Sequence, residues 1–214
     1  MLLDKEFDAV ILANGKYPEH EIPVRLLRNA KYLLCCDGAV VKHLGKGRVP
    51  DAVVGDLDSL PMEVKSVFAN KLHHFPDQNS NDLTKSIKFC QERGFKSVAI
   101  VGATGLREDH TIGNIALLVG YAQQGMDVVM VTDTGLFLPM LNSGMVRSFE
   151  GQQVSIFSFS SETLITTHNL QYPIEDMPLN MWWQGTLNES LGDYFGLEFT
   201  PGPVAVYLLF KDCR

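Results

Sequence analysis

The sequence predicts a two-part α/β chain: an N-terminal, mostly parallel sheet with flanking helices, followed by a C-terminal all-β sandwich. In the first two-thirds, short apolar runs alternate with longer amphipathic ones, the pattern of βα units. The short runs are apolar nearly throughout rather than at every second residue, as expected of strands covered on both faces. After about Asp133 the texture turns to short alternating runs punctuated by Gly, Pro and Ser, with no convincing helix. The expected domains are 1–135 and 136–214.

The candidate strands of the first domain are Ala9–Ala13, Tyr32–Cys36, Ala52–Gly55, Leu72–Phe75, Ser97–Val101 and Val128–Thr132. Ile22–Asn29 and Pro61–Asn70 are short helix candidates. Asn81–Arg93 places Leu83, Ile87 and Cys90 along one helical face, with Lys85, Lys88 and Glu92 elsewhere. Asp109–Gln124 is apolar enough for a packed core helix. In the second domain Gln153–Phe159, Leu164–Thr167, Tyr194–Phe199 and Val204–Phe210 read as strands. A sandwich this short is expected to lean on the first domain or on a second subunit.

Composition bounds the function. Of 214 residues, 45% are apolar and 20% charged, enough for a real core in a soluble globular protein. A net charge of −7 argues against nucleic-acid or membrane partners, which call for an electropositive face. The first eight residues mix charges where a signal peptide needs an apolar stretch, and no run approaches the roughly 18 apolar residues of a membrane span. Cys35, Cys36, Cys90 and Cys213 form no C-x-x-C pair. These features lead us to expect a reduced, cytoplasmic protein.

Each proposed strand of the first domain runs into a polar or glycine cluster at its carboxyl end: Asn14-Gly15, Asp37-Gly38, Gly55-Asp56-Leu57-Asp58-Ser59, Asp77 to Asp82, Gly102-Ala-Thr-Gly105 and Thr132-Asp133. Open α/β sheets bind ligands beyond the carboxyl ends of their strands. Several carboxylates gathered along one edge repel unless a cation joins them. Asp56-Leu57-Asp58 is the sharpest element, because a turn between two carboxylates lets both face one Mg²⁺. Asp82 opens a helix, as a metal ligand or as part of the helix cap shared with Asn81. Lys85, three residues on, reads as a phosphate contact or a solvated charge. Gln78 and Asn79 are candidate substrate contacts.

Gly102 to Gly105 joins a strand to a helix, where glycines let backbone approach a phosphate and the helix start adds its dipole. Arg107 offers a bidentate fork for phosphate oxygens. Asp109 and His110 are an orienter–base candidate, although neighbouring side chains often diverge. Neither a P-loop nor a G-x-G-x-x-G sequence occurs.

Taken in order, Ile11-Leu-Ala-Asn-Gly15, Cys36-Asp37-Gly38-Ala39, Gly55-Asp56-Leu57-Asp58-Ser59, Asn81-Asp82-Leu-Thr-Lys85 and Gly105-Leu-Arg107-Glu-Asp109-His110 resemble the thiamine pyrophosphokinase family. Asn169-Leu-Gln-Tyr172-Pro and Gly185-Thr-Leu-Asn188-Glu189 extend the resemblance downstream. It implies a homodimer that uses ATP and Mg²⁺ to convert thiamine to thiamine diphosphate, with thiamine near the subunit interface. It also implies that Asp56, Asp58 and Asp82 hold magnesium and that Asp37 supports the phosphate region. Gln78, Lys85 and Arg107 would face phosphates or substrate. Asp109 and His110 would lie near the hydroxyl of thiamine, and Tyr172 and Asn188 would hold its rings. Tyr172, Trp182 or Trp183 would stack on the cationic thiazolium, although at least one of the two tryptophans is expected to serve packing.

The chain departs from the family pattern at Leu57, Leu106 and Leu187, the last replacing a serine. Two rival readings are a metal-dependent nucleotide-sugar or nucleotidyl transferase, which D-x-D also suits, and a non-catalytic thiamine- or nucleotide-sensing module.

Overall fold

The apolar runs of the first two-thirds form one parallel sheet. A computed structural model describes residues 5–213. Contacts divide them into two units, one of Glu6–Leu117 with Gly125–Asp133, the other built on 134–213 with Leu118–Gln124. In the first unit the strands are β1 (Ala9–Leu12), β2 (Leu33–Cys36), β3 (Ala52–Gly55), β4 (Leu72–His74), β5 (Ser97–Val101) and β6 (Asp127–Val131). Their order is β6-β5-β1-β2-β3-β4, every pairing parallel. Strands β1, β2 and β3 are buried at every residue, as their unbroken apolar runs require.

The helices are α1 (Glu21–Arg28), α2 (Ala39–His43), α3 (Met62–Val67), α4 (Asp82–Glu92) and α5 (Glu108–Gln123). The chain runs outward from β1 through β4, then returns to β5 on the other side of β1. The sheet therefore reverses direction between β1 and β5, the position at which open α/β sheets form their ligand crevice. Cys35 and Cys36 on β2 and Cys90 on α4 are all buried. Burial pushes the Cys35 and Cys90 thiols up to about 12.

The second unit holds β7 (Gly135–Met140), β8 (Gly144–Arg147), β9 (Gln153–Ser158), β10 (Leu164–His168), β11 (Met177–Pro178), β12 (Asn188–Glu189), β13 (Tyr194–Thr200) and β14 (Val204–Leu209). They pair antiparallel as β12-β9-β14-β7 and β11-β10-β13-β8, the two layers of a sandwich. Alternation does what the sequence pattern asks: Val154, Ile156 and Ser158 of β9 are buried, as are Ile165 and Thr167 of β10. Between β11 and β12 a single 3₁₀ turn, Trp182–Gly185, lies against β9.

Some readings of the sequence need adjustment. Helix α2 and strands β7, β8, β11 and β12 are not among the elements expected from the sequence; in β7, Pro139 pairs with Ala205. The segment Pro61–Asn70 is a short α-helix followed by a 3₁₀ turn rather than one helix. Helix α5 is less buried than its apolar composition suggests, with Leu118, Val119 and Tyr121 inside but Ile112 51% exposed.

Candidate active site

A cleft of about 360 Å³ opens at the β1/β5 reversal. Ala13, Asn14 and Gly15 from the end of β1 face Ala103 and Thr104 from the end of β5. The two loops are strapped together, since Gly15 N–H donates to Gly102 O at 2.7 Å and Lys16 N–H to Thr104 O at 2.8 Å. A Cβ on Gly15 would stand 2.5 Å from Gly102 O, so only glycine permits this approach. Gly102 and Gly105 both have positive φ, whereas Leu106 does not, so leucine is tolerated there without backbone strain.

On the opposite wall the carboxylates converge on a buried lysine. Lys85, with 3% of its side chain exposed, donates to Asp82 Oδ1 at 3.1 Å and to Asp56 Oδ2 at 3.3 Å. Burial pulls the Lys85 ammonium toward neutrality, but its bonds and charge contacts with Asp82 and Asp56 outweigh that and raise its pKa. Asn81, not Asp82, caps α4, accepting Thr84 N–H at 2.9 Å. The Asp82 carboxylate is thereby left to the cleft.

Asp56 is organised by its own turn, accepting Asp58 N–H at 3.2 Å. That bond, followed by the bonds to Lys85 and Gln78, lowers the Asp56 pKa. The turn depends on Leu57 adopting φ +63°, a conformation that costs a non-glycine residue roughly 1–2 kcal/mol. Burial of the Leu57 side chain offsets part of this cost. Asp58 is exposed and does not line the cleft.

Asp37 lies beneath this wall, 4% exposed. Ser59 Oγ donates to its Oδ2, while Oδ1 is buried and accepts no hydrogen bond. A Cβ on Gly55 would stand 2.7 Å from Asp37 Cβ and 3.3 Å from Asp82 Oδ1, so these two carboxylates crowd the same glycine. Burial raises the Asp37 pKa; Ser59 opposes this and the charges of Asp82 and Asp56 add to it. A hard, anionic oxygen set with an orphaned buried carboxylate oxygen suits a divalent cation such as Mg²⁺. Because the folded pKa is raised, the ionised carboxylate costs stability above that pKa, and the cost fades as pH falls through it. Asp37→Asn should therefore raise the melting temperature at pH 7 in chelator, by about 2–4 °C for each kcal/mol relieved. The gain should vanish in acid, and calorimetry at two pH values checks this.

Arg107 and His110 complete the β5–α5 side of the cleft. Asp109 is exposed and does not line it; its carboxylate bonds Arg107 at 2.5 and 3.1 Å. Arg107 holds Asp109 at a pKa of about 2. The structure thus gathers Asp56, Gln78, Asp82, Lys85, Arg107 and His110 in one cleft, with Asp37 below. Asn114, also lining it, went unrecognised in the sequence. Its only signal is its position four residues after His110, on the same face of α5.

Tyr172 and Asn188 belong to the sandwich unit, where a separate cleft of about 440 Å³ is lined by Tyr172, Met177, Trp183, Leu187 and Asn188 among others. Asn188 spends its amide on the backbone of Tyr172, accepting its N–H at 3.0 Å and donating to its carbonyl at 2.6 Å. Tyr172 as a residue is 63% exposed. Trp182 packs edge-on against Phe157 and Phe159, whereas Trp183 is 70% exposed on the cleft. Leu187 takes φ +59° with its side chain outward.

Residues 24–130 match the family model for the thiamin pyrophosphokinase catalytic domain, and residues 135–207 that for the thiamin pyrophosphokinase substrate-binding domain. Thiamin pyrophosphokinase 1 of Caenorhabditis elegans is 27% identical over 168 residues, covering 72% of this chain and 69% of that protein. Thiamine pyrophosphokinase 3 of Oryza sativa is 29% identical over 203 residues, covering 80% and 74%. Among solved structures, the thiamine pyrophosphokinase of Bacillus subtilis superposes with a TM-score of 0.78 at 17% identity, over 95% of this chain and 99% of that one. That of Candida albicans gives 0.77 at 18%, over 98% and 90%. At such identities the superpositions speak for the fold. Since the two family models together span most of the sequence, the chain belongs to the thiamin pyrophosphokinase family.

Proposed function

We propose that this protein is a magnesium-dependent thiamine pyrophosphokinase, transferring the β,γ-diphosphate of ATP to the hydroxyl of thiamine with release of AMP. The observation that carries the reading is the cleft at the sheet reversal, where Asp56, Asp82 and Lys85 face a glycine turn followed by Arg107. Family membership adds ATP and thiamine, and leaves the sugar-transferase alternative without support. Residues 1–135 would carry the chemistry and 136–214 the thiamine contacts.

Transfer of this kind is mainly positioning plus neutralisation of charge on the moving group. Asp56 and Asp82, with Asp37 beneath and Asp58 on the same turn, are the residues to hold Mg²⁺, which when bound would neutralise phosphate oxygens. Lys85 bonds both Asp56 and Asp82 and offers a positive charge beside the phosphate-facing cleft. The Gly102–Gly105 turn brings backbone close to the phosphate chain, and Arg107 forks onto its oxygens. As thiamine oxygen bonds to the β-phosphorus, the bond to the AMP oxygen breaks and the hydroxyl proton leaves. At a pKa of about 2, Asp109 is a weak base in its present pairing, so His110, which lines the cleft, is the better acceptor.

Incubation with ATP, Mg²⁺ and thiamine should yield AMP and thiamine diphosphate together; ADP as product, or no thiamine-dependent turnover, would sink the proposal. The second outcome would favour a sensing module. Asp58→Ala tests the outlying carboxylate: a loss of turnover keeps Asp58 in the metal set, and unchanged activity removes it. In the sandwich cleft, Tyr172 and Trp183 offer aromatic faces to the thiazolium cation. Trp183→Ala should raise KM for thiamine roughly 3- to 30-fold, the range of one cation–π contact, with a smaller change in kcat. Steady-state kinetics in thiamine measures it.

A homodimer with thiamine near the subunit interface is part of this proposal, and sedimentation equilibrium tests it. No helix among the described residues is long and apolar enough to cross a membrane. The cytoplasmic location we propose is testable by cell fractionation.

A further inference from the structure

Two asparagines tie the walls of the cleft together. Asn81 caps α4 through its Oδ1, which accepts Thr84 N–H at 2.9 Å. Its Nδ2 donates across the cleft to Asn114 Oδ1 on α5 at 3.2 Å. Asn114 Nδ2 in turn donates to the carbonyl of Ala103 at 2.9 Å. A relay of three hydrogen bonds therefore joins the first turn of α4, which carries Asp82 and Lys85, to the glycine turn that precedes Arg107 and His110. Both asparagines line the cleft.

We infer that Asn114 is a positioning residue for the transfer reaction, setting the spacing between the carboxylate–lysine wall and the phosphate-facing turn through Asn81. The inference rests on the function proposed above. Asparagine is a poor interior helix residue, so α5 gains nothing in propensity by carrying one there. What it gains is a side chain with a donor and an acceptor on one planar group, able to bond two different segments at once. Hydrogen bonds this accessible to water contribute little to net stability. Misplacing a reacting group by about 1 Å, in contrast, can cost a factor of about 100 in rate. The relay should matter far more to kcat than to folding.

The full-length enzyme carrying Asn114→Leu, Asn81→Asp or both tests this. Asn81→Asp keeps the oxygen that caps α4 but removes the donor to Asn114. Each single variant should lower kcat roughly 10- to 100-fold, with KM for thiamine changed less than about threefold and thermal midpoint nearly unchanged. The double variant should be no slower than Asn114→Leu alone, because both break one relay. Hydrogen–deuterium exchange of the 102–105 peptide should quicken in Asn81→Asp, although that residue lies across the cleft. Wild-type kcat and exchange in Asn81→Asp, multiplying effects in the double variant, or a change confined to KM for ATP would each overturn the inference, the last two by making Asn114 a direct substrate contact. If the wild type forms no AMP with thiamine, the proposed function fails instead, and the exchange measurement still reads the relay.

Discussion

Asp82→Ala is expected to reduce thiamine-dependent AMP formation by about a thousandfold, the scale of removing one charge-stabilising group from a transfer site. Asp82 is not the cap of α4, because Asn81 already fills that role, so the substitution leaves the helix start intact. It does remove one of two carboxylates bonded to Lys85 and one of the carboxylates beside Gly55. Binding of Mn²⁺ by the variant, followed by electron paramagnetic resonance, should weaken in parallel with turnover. An Asp82→Ala enzyme with more than about a tenth of wild-type activity would remove Asp82 from the site.

Gly185→Ala should be the most damaging small substitution in the sandwich. A Cβ there would stand 2.1 Å from Ile156 O and 2.8 Å from Leu179 Cδ1. Backbone carbonyl cannot yield as a flexible side-chain tip would, so the 3₁₀ turn Trp182–Gly185 must lift from β9. Overpacking of this kind costs about 1–3 kcal/mol and sometimes more. At about 2–4 °C per kcal/mol, a drop of roughly 5–10 °C in thermal midpoint is expected by calorimetry. The turn leads into Thr186, Leu187 and Asn188 of the second cleft, so weaker thiamine binding should accompany the loss. An unchanged midpoint would contradict the packing described for this turn.

Much of the fold was legible because the physics is local. Short unbroken apolar runs bounded by glycine and polar clusters suit strands covered on both sides, and β1, β2, β3 and β5 fall within a residue of where those runs lie. The alternation in Gln153–Phe159 likewise gives the buried face of β9. Strand β7 is harder to read from sequence, because Pro139 lacks the N–H that a strand interior normally donates. The cleft was legible as a set of polar loop ends, since parallel strands deliver all their carboxyl ends to one edge. What spacing did not convey was direction. Asp56 and Asp58 are two residues apart, yet the left-handed turn at Leu57 gives one to the cleft and the other to solvent. For Lys85 the sequence leaves a phosphate contact and a solvated charge both open; the side chain is buried, with two carboxylates bonded to it. Asn114 carries little pattern beyond its i+4 spacing from His110, because its partners lie 33 residues upstream and in the preceding turn.

The sealed thiols of β2 and α4 make this molecule its own reporter of opening. Cys35 and Cys36 end the strand that leads into Asp37, and Cys90 lies on the helix that carries Asp82 and Lys85; buried thiols whose pKa is pushed up are almost never thiolate. Cys35 and Cys90 are fully buried, so an alkylating reagent reaches them only when the sheet and helix around them come apart, and their labelling rate clocks that event, whereas Cys36 borders the cleft itself. Cys213, half-buried outside that sheet, supplies the internal standard. Ligands that knit the carboxylate wall should slow the clock for Cys35 and Cys90 and leave the standard running.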